Sequence, residues 1–169
     1  AAKAPVKAGT GVALKALDPE VTPDAIRYRY VTVQVDRTKR QARLMVHGPA
    51  SAPPKTAAEL RTLGADAWSL RAFREIDAAL LHLRFNEPTC GLVVVETRGD
   101  ASAVVAWDRA LWELREDWFA REILLHMARV LRRMDQTARS FFALAEPGSC
   151  FAGSLLELAL AADRTYALD

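Results

Sequence analysis

Residues 141–166, FFALAEPGSCFAGSLLELALAADRTY, decide the fold class. Ser140-Phe141-Phe142-Ala143-Leu144-Ala145-Glu146 is an apolar run too short for a helix and reads as a buried strand. Pro147-Gly148-Ser149 makes a turn, and Gly153-Ser154 opens an apolar helix over Leu155 to Ala162. Asp163 to Leu168 then begins another strand. A strand, a tight turn, a helix and a second strand within so short a span form an α/β crossover. Its helix start presents unpaired N–H groups and the positive end of a dipole, a place for an anion or for polarising a carbonyl.

Upstream the same alternation holds. Leu92 to Thr97 is a nearly continuous apolar run, expected to be a strand buried on both sides, and Gly99-Asp100 leaves it. Between these strands, Trp107 to Met134 has helical periodicity, with Leu111, Leu114, Trp118, Phe119, Ile123, Leu125, Met127 and Val130 as core candidates and a possible seam at Asp117-Trp118. A helix from about Ala67 to Phe85 precedes the first of them and ends at Asn86-Glu87-Pro88. Before it, Thr56-Ala57-Ala58-Glu59 has capping-box spacing, and Gly64 stops the short helix it opens. Tyr28 to Asp36 and Gln41 to Val46 alternate apolar and polar residues around a polar connection, the pattern of a β-hairpin. Residues 1–25 hold Ala, Lys, Pro and Gly without periodicity and read as a linker following something earlier in a parent protein. Strand, helix and strand in alternation argue for an α/β layered fold with partly parallel strands, cut partway through a domain.

Composition sets bounds. The 169 residues are 51% hydrophobic and 26% charged, which suits a packed core and excludes wholesale disorder. No apolar run reaches the roughly 18 residues of a membrane span. A net charge of +2 gives no basic mandate for nucleic acid. Two cysteines, Cys90 and Cys150, make no disulfide framework, and a reducing, cytoplasmic setting is expected. His47, His82 and His126 are scattered, without metal-ligand spacing. No phosphate-binding glycine loop and no GxSxG elbow occur.

The 141–166 stretch resembles the signature of the crotonase (enoyl-CoA hydratase/isomerase) superfamily, roughly NGxAxGGGxELAxACD. Gly153 and Glu157-Leu158-Ala159-Leu160-Ala161-Ala162-Asp163 carry the match. Within the superfamily the chain is similar, along nearly its whole length, to the second half of the ring-cleaving lyases of aerobic benzoyl-CoA degradation. YVTVQVDRTKRQA, ELRTLGADAWSLRAFREIDAAL and DWFAREIL carry that likeness with the stretch above. The resemblance implies the crotonase-like (ClpP/crotonase) ββα layered fold, truncated before the end of the domain. Residues 26–169 would be the N-terminal part of that domain. It implies a parent lyase that opens the ring of a benzoyl-CoA dihydrodiol with loss of formate. No redox cofactor and no metal would be needed, CoA being part of the substrate.

The resemblance also implies an oxyanion hole of two backbone N–H groups for a thioester carbonyl. Ungapped placement puts Val105 at the first donor, Asp108 at the usual aspartate and Ser154 at the second donor. Valine at 105 and Ser154-Leu155 stand where the pattern has small residues. Glu157 falls on a general acid/base position, and equally completes a capping box, Ser154-Leu155-Leu156-Glu157, which is the favoured reading. The resemblance would put the family's second carboxylate downstream of the strand that begins at Asp163, outside these 169 residues. Cys150 is a candidate nucleophile or donor, with a small buried hydrophobe as the favoured reading. Arg129, Arg132, Arg133 and Arg139 read as a solvated basic face, and Trp107, Trp112 and Trp118 as core or interface anchors.

These residues leave three functional readings. The segment is mainly architectural within a lyase, packed on the other half of the parent or another subunit. It is a CoA-thioester-binding domain of the hydratase/isomerase kind. Or it is a non-catalytic oligomerisation module, self-associating as a homo-oligomer. A catalytic segment needs Val105 N–H, Ser154 N–H and Glu157 around one open pocket. An architectural one fills that space with Leu155, Phe151 or Trp107.

Overall fold

The structure is a computed structural model that describes residues 11–168. Among the described residues seven strands form one sheet in sequence order: β1 (Glu20–Thr22), β2 (Ala25–Arg27), β3 (Val31–Asp36), β4 (Gln41–His47), β5 (Leu92–Arg98), β6 (Ser140–Ala145) and β7 (Arg164–Ala167). Strands β1 to β4 are antiparallel, and β4 to β7 run parallel. The helices are α1 (Ala57–Leu63), α2 (Trp68–Asn86), α3 (Ala101–Glu113), α4 (Trp118–Asp135) and α5 (Gly153–Leu160), with a 3-10 turn over Gly64–Asp66.

The hairpin follows from its alternation. Val31, Val33 and Val35 of β3 and Ala42, Leu44 and Val46 of β4 point into the core, while Thr32, Gln34, Arg43 and Met45 face outward. Helix α2 covers the inner face with Phe73, Ile76 and Leu80, and α4 packs beside it through Phe119, Ile123 and Met127. Glu75 is fully buried in α2, yet its charge is met by Arg71 at 2.6 Å and the Tyr30 N–H at 2.7 Å.

The structure amends several expectations. Of the stretch read as linker, residues 20–25 carry β1 and the start of β2. Leu17 and Lys15 lie along α2, their carbonyls accepting from Arg71 Nη2 (2.8 Å) and Arg74 Nη2 (2.9 Å). Residues 1–10 lie outside the described residues. Strand β5 packs into the core on one face only; on the other, Glu96 is buried against Arg43 at 3.0 Å. Val93 and Val95 are inside, but Leu92 and Val94 are half-exposed, as are Phe142 and Leu144 of β6, because no helix of the described chain covers that side. The long helical stretch is two helices, with the break at Asp117, whose carboxylate accepts from Phe119 N–H. The first begins at Ala101, six residues before Trp107, where Asp100 caps it through Ser102 N–H. Trp118 and Leu125 lie on the outer side of α4 rather than in the core. Two of the four clustered arginines are pins, not a solvated face. Arg139 donates to the carbonyls of Leu83, Glu87 and Cys90, and Arg133 to Asp77 at 2.5 Å.

Candidate functional site

In a parallel sheet, binding sites lie beyond the carboxyl ends of the strands, where chain segments diverge. Here that region is made by the ends of β4, β5 and β6 and the starts of α3 and α5. The three strand ends are sewn together by backbone. Gly48 N–H donates to Arg98 O (2.8 Å), Gly99 N–H to Gly148 O (3.2 Å) and Cys150 N–H to Thr97 Oγ1 (2.9 Å). Gly99 is glycine by necessity: its φ is +143°, and a Cβ would stand 3.2 Å from Gly48 N and Cα. Arg98 closes the outer side, reaching Glu146 Oε2 at 3.0 Å and the Pro147 carbonyl. Cys150 is wholly buried beneath these turns. Burial pushes its thiol pKa up, only partly opposed by the Thr97 hydroxyl. A protonated, inaccessible thiol is a packing group.

The α3–α5 contact holds the remaining candidates. Helix α5 starts at Gly153 with Ala152 as its N-cap, so no side chain of its own segment caps it. Ser154 is its second residue, and its N–H is one of those that a helix start leaves free. Asp108 of α3 takes it. Oδ2 of Asp108 accepts from Ser154 N–H at 2.6 Å, and Oδ1 accepts from Ser154 Oγ at 2.9 Å. The carboxylate thus sits at the positive end of the α5 dipole, a favourable placement for a negative charge. Burial raises the Asp108 pKa, and the two Ser154 hydrogen bonds pull against that rise. Gly153 makes the approach possible, with a φ of +49° and a Cβ position that would overlap Asp108 Oδ2 and stand 3.2 Å from its Cγ.

The capping box expected over Ser154 to Glu157 is not formed. The cap position falls two residues earlier, at Ala152, so Ser154 is already inside the helix and turned to Asp108, and Glu157 projects into solvent. Val105 is the fifth residue of α3, where an N–H is spent within the helix on the carbonyl of residue 101. Its side chain lines a shallow groove with Ala101, Ser102, Ala106, Arg109 and Ala152, a groove that neither Ser154 nor Glu157 lines. Leu155 and Trp107 are buried, and Trp107 Nε1–H donates to Ser51 O at 2.8 Å. Phe151 is partly buried against the core. Asp163, the last residue of the matched motif, accepts from Phe141 N–H at 2.7 Å and so ties the start of β7 to β6. Sequence reasoning placed Asp108 but missed its bond to Ser154. The retained Gly153 is the one local sign of it.

No family model matches the chain. It is 44% identical over 159 residues to benzoyl-CoA-dihydrodiol lyase of Aromatoleum evansii, a match that takes in 94% of this chain and 29% of that protein. Among solved structures it resembles an enoyl-CoA hydratase from Geobacillus kaustophilus (TM-score 0.51, 16% identity, 85% of this chain and 47% of that one). It also resembles an enoyl-CoA hydratase from Shewanella pealeana (TM-score 0.55, 17% identity, 82% of this chain and 46% of that one). The fold is crotonase-like. The expected similarity to a benzoyl-CoA-dihydrodiol lyase is present along nearly the whole chain. The chain spans less than a third of that relative and about half of the hydratase chains. Among the described residues no three His, Cys, Asp or Glu side chains gather as a metal site, and no helix is long and apolar enough to cross a membrane.

Proposed function

We propose that this chain is the architectural segment of a crotonase-type lyase that opens the ring of a benzoyl-CoA dihydrodiol, in the cytoplasm and without metal or redox cofactor. The observation that carries the architectural part is the Asp108–Ser154 pair. The helix start that would hold a thioester oxyanion is filled by the protein's own carboxylate. A second negative charge there would meet the first in a partly desolvated space, a repulsive arrangement. The lyase part rests on the 44% identity to a protein named for that activity.

What the segment offers in place of a pocket is surface. The outer sheet face carries half-exposed Val94, Phe142 and Leu144, and β7 has exposed residues throughout. Tyr166 of β7 and Leu168 after it are exposed at this edge, and Leu156 and Leu160 are exposed on α5. Parallel strands are ordinarily covered on both faces, and an open edge invites pairing. In this reading the other part of the parent or a second copy covers that face.

One observation favours the alternative, a CoA-thioester site of hydratase type: Glu157 is solvent-exposed and makes no cap, which leaves its carboxylate available as a proton acceptor. Calorimetric titration with benzoyl-CoA, with free CoA as control, separates the two. The architectural reading expects no thioester-dependent heat from the folded chain. Saturable binding of benzoyl-CoA but not CoA would replace it with the hydratase-type reading.

A further inference from the structure

A cleft of about 480 Å³ lies between the 12–17 segment, α2 and α4, apart from the strand ends described above. That size falls in the range of small-ligand sites. Leu14, Leu17, Leu70, Trp118, Ile123 and Leu125 give it apolar walls. Arg74, His126 and Arg129 line it as well.

The hydrogen-bond state of this polar group is one-sided. Arg129 Nη2 lies 2.8 Å from His126 Nδ1. A guanidinium only donates, so Nδ1 accepts and the neutral ring carries its proton on Nε2. Nε2 of His126 and Nη1 of Arg74 are both buried with no partner among the described residues. Arg74 spends Nη2 on the Lys15 carbonyl. Asp77, which also lines the cleft, is engaged by Arg133. Neither Arg74 nor Arg129 forms an ion pair among the described residues, and Glu122 at the rim is exposed. The cleft therefore joins an apolar body to two guanidinium groups without an ion-pair partner among the described residues and a third donor, with Asp77, taken by Arg133, and the exposed Glu122 as the acids in its lining. The pKa values of Arg74 and His126 are lowered first by burial and then by Arg71 and Arg129 respectively, with Glu75 and Asp77 acting the other way. Buried donors without acceptors are costly, and an anionic oxygen is the group that satisfies them.

We infer that this cleft binds a small monocarboxylate with an apolar body, its carboxylate taken by the exposed Arg129 and, once side chains shift to uncover them, by the buried Nη1–H of Arg74 and Nε2–H of His126, with its tail lying along the leucine and Trp118 walls. The inference does not depend on the lyase reading. Titration of the 169-residue chain with octanoate tests it, with 1-octanol as the neutral probe of equal length and acetate as the charged probe without a tail. Octanoate is expected to bind saturably, 1-octanol about tenfold more weakly or worse, and acetate not at all. Arg129→Ala, at an exposed position that the core does not depend on, is expected to weaken octanoate about tenfold and leave 1-octanol unchanged. Equal binding of octanoate and 1-octanol, insensitivity to Arg129→Ala, or no saturable octanoate signal would each overturn it. That includes a cleft closed by a second copy of the chain.

Discussion

Replacing Gly153 with alanine probes the Asp108–Ser154 contact directly. The backbone there has a φ of +49°, a left-handed conformation that costs an alanine roughly 1–2 kcal/mol. The new Cβ would also overlap Asp108 Oδ2, so the carboxylate must leave. Two hydrogen bonds, at 2.6 and 2.9 Å, go with it. A hydrogen bond to a charged group contributes about 1.5–3 kcal/mol, and losing both members of one shared contact adds at least one such term. Together the two effects come to about 2.5–5 kcal/mol, a large part of the roughly 5–15 kcal/mol that stabilises an ordinary domain. With a urea dependence of about 2 kcal/mol per molar, the unfolding midpoint should fall by roughly 2 M. Urea unfolding followed by tryptophan fluorescence and circular dichroism measures it. Asp108→Ala supplies the control. In that background the clash is gone, and Gly153→Ala should cost only the backbone part, about 1–2 kcal/mol. A loss under about 1 kcal/mol for Gly153→Ala alone, or equal losses in the two backgrounds, would refute the claim that Gly153 exists to admit Asp108.

Three further outcomes follow from the same geometry. Burial holds the thiols of Cys90 and Cys150 protonated and covered, so Ellman's reagent at pH 8 should label neither in the native chain and both in guanidinium; prompt native labelling would contradict their placement. The His126 pKa is lowered by burial and then by Arg129, so the unfolded chain takes up this proton more readily; its contribution to stability is full above about pH 6.5 and is lost as pH falls below that. Urea midpoints at pH 7.5 and 5.5 should show a drop in wild type that His126→Phe reduces, and an unchanged drop would count against the assignment. Glu157→Ala should leave stability within about 0.5 kcal/mol of wild type in the same urea assay, because the side chain is exposed and caps nothing; a loss of the size of a helix cap, about 1 kcal/mol, would restore the capping box.

Much of the fold was legible where a residue's burial is decided by its own element. Val31, Val33 and Val35 alternate against Ala42, Leu44 and Val46 because each strand has one core face, and the register follows from it. The break at Asp117 was readable because a short acidic side chain before an apolar run is a cap in waiting. The helix start at Ala101 was not, because Ala103 to Ala106 lack the polar spacing that marks a face. Strand β5 misled for a different reason. Its apolar sequence reports that both faces suit a dry environment, but not whether the second layer lies in this chain. Leu125 has helical spacing from core positions yet sits on the rim of the α2–α4 cleft, which spacing alone does not distinguish. At the candidate site, the Ser154–Glu157 pattern was locally sound, and a nonlocal contact overrode it. Asp108 and Ser154 are 46 residues apart, and only Gly153 beside Ser154 signals locally that one fills the other's vacancy.

The most direct test of the architectural claim watches the two backbone amides themselves. With 15N-labelled chain, the Val105 and Ser154 amide resonances are followed as benzoyl-CoA is added, with free CoA as reference. If Asp108 already occupies the start of α5, both resonances stay where they are, with Ser154 N–H strongly shifted downfield and slow to exchange from the outset. Saturable, thioester-dependent movement of both amides together would mean that they converge on a bound carbonyl, and the segment would have to be counted as catalytic.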